Sequence, residues 1–485
     1  MSLPGGCTGV LERFEPFLDE GLGWLVLARH ELLLFAAFWL VIGAIDELAV
    51  DLRWLWLRAT GRARTGRLPE GLAAAALNRR AAVLVAAWRE AEVIGPMIAH
   101  TLHAWAQCDF VLFVGVYRND PATLAAALGA AGTDPRLRLV IHDRDGPTTK
   151  ADCLNRLYAA LRDQERQDGQ AFGSIVLHDA EDMVHPAALA LLDAALEAAA
   201  FVQLPVCPEP QPASRWIAGH YTDEFAEAHA KDLVVRDSLG AAIPAAGVGC
   251  AFTREALEGV AQVRRARGES GPFAADCLTE DYELGLLVAR QGGRGRFLRL
   301  RDEADALVGT RCYFPARFDE AVRQKTRWIH GIALQGWDRL GWASRPIDNW
   351  MALRDRRGPL TALVLASAYL LFFVEGLIGL AALLGHRPAG GQPSLLGPLL
   401  TLCFLSFAWR GVFRFAMTTR DHGPVEGVCA VLRIPVANLI AILAGRRALF
   451  AYVRSLFGGE VRWDKTAHRD HPALRADGAA GSVVG

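Results

Sequence analysis

The amino-acid sequence predicts a Rossmann-like α/β domain carried on transmembrane α-helices. Three observations lead there: short β-rich runs alternate with helical patterns between about residues 81 and 300, long apolar runs sit near both ends, and arginines cluster beside those runs. With 52% hydrophobic residues before glycine is counted, the 485-residue chain exceeds the roughly 45–50% apolar share of an ordinary soluble protein. Disorder and an entirely water-exposed life are excluded. A net charge of −1 lacks the basic surface that counterion release requires, so no nucleic-acid partner is expected. The nine cysteines are scattered, odd in number and without a CxxC pair. They are expected to be small buried hydrophobes in a reducing compartment rather than a disulfide framework or a zinc site.

In chain order, residues 32–45 form an unbroken apolar run bounded by Arg29, His30 and Glu31 and by Asp46 and Glu47. The run is shorter than the roughly 20 residues a bilayer needs. It continues through Leu48, Leu52, Trp54 and Trp56, giving a first span over about 32–52 that tolerates Asp46 and Glu47, with tryptophans at the interface. A signal peptide is disfavoured, because the run starts too far in and no small-residue cleavage site follows. Residues 359–384, uncharged except for Glu375, make the second span, and 394–409 the third. Arg53, Arg58, Arg62, Arg64 and Arg67 follow the first span, Arg354, Arg356 and Arg357 precede the second, and Arg410, Arg414 and Arg420 follow the third. The positive-inside rule puts all of these in the cytoplasm. The N-terminus is then outside, and the long middle and the C-terminus inside. Residues 425–444 contain Arg433 and Pro435 and precede Arg446, Arg447 and Arg454; crossing would expel those arginines, so an in-plane interfacial helix is expected. The chain divides into an N-terminal segment with the first span (1–70), a cytoplasmic α/β domain (71–345), spans with the interfacial helix (346–445) and a cytoplasmic tail (446–485).

Within the middle, runs 82–87, 110–116, 137–142, 174–178 and 201–204 read as strands, and 91–107, 121–131, 149–162 and 186–200 as helices. Such alternation builds a mostly parallel sheet covered on both faces, whose ligands lie beyond the carboxyl ends of the strands. Acids follow run after run: Glu90 and Glu92, then Asp120, then Asp143 and Asp145, then Asp179, Glu181 and Asp182. A single such acid is usually a turn or cap residue. Four groups together would repel one another unless a cation or sugar hydroxyls used them. Asp179-Ala180-Glu181-Asp182 is the strongest signal, since carboxylates two apart on a tight turn reach one hard divalent ion, which can bridge the phosphates of a nucleoside diphosphate. Which of Glu181 and Asp182 joins Asp179 stays open. Residues 146–151, ending near Lys150, are only loosely like a phosphate loop. Thr279-Glu280-Asp281 opens a predicted helix over 282–291, where an acid is commonly a capping device. In a predicted helix over 318–337, Gln324, Arg327 and Trp328 stand at i, i+3 and i+4 and share one face. A guanidinium there can grip a diphosphate and an indole can carry a sugar ring; a membrane-interface Trp/Arg belt is the plainer alternative.

These motifs in this order, DAED, TED and QxxRW in an α/β domain flanked by spans, resemble the processive family 2 glycosyltransferases of GT-A fold, such as the cellulose and hyaluronan synthases. HDAEDMVHP at 178–186, the stretch 245–252, LTEDYELG at 278–285, QKTRWIHGIALQGW at 324–337 and WDKTAH at 463–468 look most like the phage-adsorption group of bacterial inner-membrane members. The resemblance covers about residues 31–468. It implies an inverting transfer from a nucleotide diphosphate sugar, a UDP-sugar such as a UDP-N-acetylhexosamine, to a growing exopolysaccharide, with Mg2+ or Mn2+ as cofactor. Implied partners are the donor, the polysaccharide acceptor, the lipid bilayer and an outer-membrane export partner; the implied place is the bacterial inner membrane with the catalytic domain cytoplasmic. Carried over by residue, Glu90, Asp143 or Asp145 and Lys150 lie around base and ribose. Asp179 with Glu181 or Asp182 binds metal and diphosphate, Asp281 beside Glu280 is the general base on the acceptor hydroxyl, and Gln324, Arg327 and Trp328 hold diphosphate and acceptor terminus. The usual DxD reads Asp-Ala-Glu here. After 468 only a glycine- and alanine-rich tail follows, with no room for the cyclic di-GMP-sensing domain such proteins can carry. Residues 463–468 are expected to fold back over the nucleotide site as a lid. Single-sugar transfer to a lipid carrier and a non-catalytic envelope scaffold are the alternatives.

Overall fold

The computed structural model describes residues 8–63, 65–386, 396–458 and 468–474. Helix α1 (Thr8–Ala59) runs unbroken into the α/β domain, followed by β1 (Gly66–Arg67) and β2 (Ala81–Ala86). Then come α2 (Ile94–Ala104), β3 (Phe110–Val116), α3 (Pro121–Ala131), β4 (Leu137–Ile141), α4 (Lys150–Asp168), β5 (Ser174–Asp179), α5 (Ala188–Ala195), β6 (Phe201–Gln203) and β7 (Val206–Pro208). The second half holds α6 (Ile217–Glu227), α7 (Leu233–Ser238), β8 (Cys250–Thr253), α8 (Arg254–Arg265), α9 (Glu280–Arg290), β9 (Gly295–Phe297), β10 (Leu300–Arg301), β11 (Thr310–Cys312) and α10 (Phe318–Trp328). The C-terminal helices are α11 (Gly336–Leu340), α12 (Pro346–Arg356), α13 (Gly358–Leu383), α14 (Leu396–His422), α15 (Pro424–Leu432) and α16 (Ile434–Leu456).

Seven strands form one sheet in the order β4-β3-β2-β5-β8-β6-β9, parallel except for β8, which runs against both β5 and β6. The unbroken apolar sequences of β2 and β3 are what a strand covered on both faces requires. Val83, Val85, Leu112 and Val114 pack on α2 on one side; Leu84 and Phe113 pack on Leu154, Leu157 and Phe252 on the other. The chain moves outward from β2 through β3 to β4 and then returns to place β5 on the opposite side of β2. The strand order therefore reverses between β2 and β5, where a doubly wound sheet opens its ligand crevice. The residues closing those strands are neighbours, with Ala86 in register with Asp179.

All five expected strands are present, with ends shifted by a residue or two. The expected helix over 318–337 is α10 continued by a π-helical stretch, Ile329–Gln335, into α11. Strand β8 was not expected, because its four residues follow a glycine-broken loop and alternate in no readable period. The eight described cysteines are unpaired, five of them buried and Cys207, Cys403 and Cys429 only partly so.

Among the described residues, four helices are long and apolar enough to cross a membrane: Glu20–Ala59 within α1, α13, Gly397–His422 within α14, and α16. The acids that interrupt the first apolar run are engaged with the domain. Asp46 and Glu47 pair with Arg354 and Arg357, and Asp51 lies 2.8 Å from Lys231, both side chains being fully buried. The apolar helix is thus tied to other parts of the chain from Asp46 onward, within the span expected over about 32–52.

Candidate active site

The site is assembled from strand ends and helix starts. After β2, Arg89 adopts a left-handed φ of 54°, a conformation costing a non-glycine residue of order 1 kcal/mol or more. Its N–H donates to Asp120 Oδ2 at 2.6 Å, and this turn sends Glu90, only 4% exposed, into the crevice. Asp120 also caps α3 by accepting from the Thr123 N–H, so that acid serves the fold. After β5, Asp182 folds back on its own turn: Oδ2 accepts the Asp179 N–H at 2.9 Å and lies 2.8 Å from His178 Nδ1. Glu181 lines the crevice beside it. Lys150, first residue of α4, brings Nζ to 2.5 Å from Asp179 Oδ1.

From the other half, Glu280 and Asp281 stand at the start of α9. Asp281 Oδ1 accepts the N–H of Tyr282 at 2.7 Å. The loop over residues 245–249 lies against it so closely that Gly247, with φ of 74°, has room for no side chain beside the Asp281 carboxylate. Gln203 anchors that loop, donating to Val248 O and accepting from the Ala246 N–H. On α10, Gln324, Arg327 and Trp328 present one face to the same space, while Lys325 pairs with Glu224. Trp328 packs among Tyr221, Phe225 and Phe314.

These residues enclose a cavity of about 400 Å³, which Glu90, Lys150, Asp179, Glu181, Asp182, Glu280, Asp281, Gln324, Arg327 and Trp328 all line. Asp143 and Asp145 do not. They face solvent, Asp143 3.2 Å from Arg156 and Asp145 3.5 Å from Arg118. Their strand, β4, is the outer edge of the sheet, two places from the crevice. Of the expected lid, residues 463–467 lie outside the described residues; His468 lines the cavity, with Nδ1 3.1 Å from Glu90 and Nε2 3.2 Å from Glu181. Tyr117 and Gln203 were not singled out from sequence. Tyr117 follows β3 directly and sets its ring edge-on to Trp88 at 5.0 Å, so the strand-end rule could have found it. Nothing in the sequence marks Gln203.

The wall is short of positive charge. Burial, reinforced by Asp281, pushes Glu280 up to about 8. Burial likewise pushes Glu181 up to about 8, against the pull of His468 and with the help of Asp179, Glu90 and Asp182. Asp281 and Asp182 are raised chiefly by burial as well. Burial alone would lower the Lys150 ammonium, yet Asp179, Glu280 and Asp281 hold it above its ordinary value. Such a set of buried acids suits a cation. Asp182, 1% exposed, keeps Oδ1 without a hydrogen-bond partner, so the residues present fit a divalent metal.

An acid-walled crevice at the switch point of a mostly parallel sheet, with Arg327 and Trp328 opposite, has the form of a nucleotide-sugar transferase. The chain belongs to the family 2 glycosyltransferases: residues 79–331 match the family described as Glycosyltransferase like family 2. It is similar to bacteriophage adsorption protein B of Escherichia coli strain K12, 34% identical over 418 residues, covering 82% of this chain and 55% of that protein. Bacteriophage N4 adsorption protein B of Escherichia coli O157:H7 matches to the same extent. The chain spans about half the length of these curated relatives. More distant is glucosyl-3-phosphoglycerate synthase of Mycobacterium tuberculosis, 19% identical with a TM-score of 0.34 over 58% of this chain and 88% of that one. Its crystal structure with Mn2+ and UDP-glucose gives 17% and 0.33 over 58% and 86%.

Proposed function

We propose that this glycosyltransferase transfers a sugar, with inversion at C1, from a UDP-sugar to the end of a growing exopolysaccharide at the cytoplasmic face of a bacterial inner membrane. The observation that carries the reading is that the DAED, TED and QxxRW residues, from three separate elements, line one cavity. Trp88 and Tyr117 line the cavity on the β2 and β3 side, where the reading puts the base. Lys150 and Arg327 supply fixed positive charge for the diphosphate as it departs, and such preorganised charge counts most in a water-poor site. A bound Mg2+ or Mn2+, held by carboxylates of the acidic loop, would neutralise the same leaving group. Asp281, raised above its ordinary value by burial, is the base that accepts the acceptor's hydroxyl proton. Attack by that oxygen on the face opposite the diphosphate gives inversion without a second nucleophile. Trp328 and its aromatic neighbours form the floor for the acceptor's terminal sugar. An export partner in the outer membrane would then receive the product.

The test uses the full chain in lipid nanodiscs, given radiolabelled nucleotide sugars one at a time with Mn2+ or Mg2+. One UDP-sugar is expected to be consumed and to yield a product of many units. Addition of a single sugar to extracted lipid would replace polymerisation by carrier glycosylation. Consumption of no nucleotide sugar would overturn the enzymatic reading.

A further inference from the structure

We propose that Asp355 of α12, acting through Tyr282, is a positioning residue that holds Asp281 in place, and so ties the base to the helix that leads into α13. The inference rests on the reading of Asp281 as the base and goes beyond it, since none of the DAED, TED and QxxRW residues lies on α12. Tyr282 follows Asp281 on the first turn of α9 and is 5% exposed. Its N–H donates to Asp281 Oδ1, so a shift of Tyr282 moves the carboxylate. Its hydroxyl donates to Asp355 Oδ2 at 2.9 Å. Burial, with Asp355 beside it, holds that phenol above its ordinary value, so it stays protonated and a donor. Asp355 is fixed in turn by Arg236 of α7, itself 5% exposed, whose Nη1 lies 2.8 Å from Oδ1 and 2.9 Å from Oδ2.

The same helix grips the other side of the base. Asp348, about two turns earlier on α12, accepts the Ala242 N–H at 2.8 Å, and Arg236 Nε donates to the Ala242 carbonyl oxygen at 2.6 Å. From Ala242 the chain runs on to Gly247, which lies against the Asp281 carboxylate. On the way it rests on α9 itself: Ala245 N and Ile243 O fill the place a side chain at Gly285 would need. Asp281 is thus clamped between a helix start and a loop, and α12 holds both. Arg354 and Arg357, flanking Asp355, pair with Asp46 and Glu47 of α1, so the clamp is anchored to that helix as well. A misplacement of about 1 Å in a reacting group can cost 10²-fold in rate. Lys150 and Arg327 stand on α4 and α10, outside the clamp, so its loss should fall on kcat rather than on donor binding.

The rival role for Asp355 is structural, neutralising the buried Arg236 with no bearing on the base. Tyr282→Phe removes one hydroxyl and leaves the Arg236–Asp355 pair intact, so on the full chain in nanodiscs it separates the two. The clamp predicts that kcat falls about ten- to a hundredfold while the donor KM and Mn2+-dependent binding of UDP stay as in the unaltered chain. Asp355→Ala should lower kcat in the same way; if that variant fails to fold, Tyr282→Phe carries the test alone. Adding Tyr282→Phe to Asp281→Asn should cost nothing further. In hydrogen exchange, the amides of 241–249 and 279–285 should exchange faster in Tyr282→Phe, a readout that involves no sugar transfer. Unchanged kcat in Tyr282→Phe would overturn the inference, and so would an equal fall in the Asp281→Asn background or unchanged exchange in both segments. Full transfer by Asp281→Asn would instead overturn the base reading, and the exchange result would still decide whether α12 clamps that segment.

Discussion

Asp179 and Asp281 are two aspartates on the wall of one cavity with different neighbours. Asp179 sits at the end of β5 against Lys150, and the proposed reading gives it the diphosphate. Asp281 sits at the start of α9 under Gly247, and the same reading gives it the acceptor. Asp179→Asn should weaken donor binding and abolish both transfer and slow hydrolysis of the nucleotide sugar. Asp281→Asn should keep metal-dependent donor binding while transfer falls by roughly 10²–10⁴-fold. Calorimetry with the nucleoside diphosphate, with and without metal, reads the difference; equal loss of binding in both variants would move Asp281 into the metal shell. The charge of Asp281 also sets a pH dependence. Burial raises it, and a base works only as the carboxylate, so at saturating metal the rate should fall on acidification well before the ordinary carboxylate range near about 4. A kcat profile flat down to that range contradicts the assignment. At this scale the sequence was legible to the extent that Asp179 and Glu181, two residues apart after a central strand, line one cavity. It misled at Asp143 and Asp145, because an acid after an edge strand looks the same in sequence as one after a central strand.

Helices α10 and α1 illustrate what periodicity can and cannot carry. The i, i+3, i+4 spacing of Gln324, Arg327 and Trp328 was enough to put them on one face, and that face does line the cavity. The π-helical continuation after Trp328 leaves no mark in composition. For α1, hydropathy finds the apolar run but not its end. That end is set by partners hundreds of residues away: Lys231 reaches Asp51 at 2.8 Å and Glu227 at 3.1 Å, and Trp409 donates to Asp51 Oδ2 at 2.9 Å. Removing one member of a buried charge group strands the others at a cost of about 3–5 kcal/mol. Lys231→Met should therefore lower the melting temperature of the nanodisc-embedded protein by several degrees, and an unchanged melting curve would show that this network does not secure α1 to the domain. Lys231 itself does not line the cavity.

Over the whole molecule, the sheet was legible because buried parallel strands are written as continuous apolar runs, whereas membrane topology depends on which charges are paired across elements. Helices α1 and α13 are antiparallel, with Arg29 3.9 Å from Glu375 at one end and Asp46 and Glu47 bound by Arg354 and Arg357 at the other. At 1.5 Å per residue the stretch from Arg29 to Asp46 is about 25 Å long, close to the roughly 30 Å of a hydrocarbon core. The charged collar that includes Asp46 joins α1 to the α/β domain through Lys231, which pairs with Glu47 and Asp51, and we propose that the domain sits at that membrane face. Helix α16 is apolar enough to cross, but it is held along the domain: Arg433 at its start pairs with Asp223 at 2.8 Å, Ile440 and Ala444 pack on Tyr221, Ala321 and Val322, and Tyr452 near its end donates to Asp338 at 2.9 Å. We therefore propose that α16 lies along the membrane rather than through it, and that the chain crosses three times with the arginine-rich side cytoplasmic. A fluorescent reporter inserted at the exposed turn of Gly169 and another at the C-terminus should both be active in the cytoplasm, while one placed between α13 and α14 should be active only as a periplasmic reporter. A periplasmic signal at the C-terminus alone would make α16 a fourth span; a periplasmic signal at Gly169 would invert the molecule and remove the cytoplasmic nucleotide sugars from its reach.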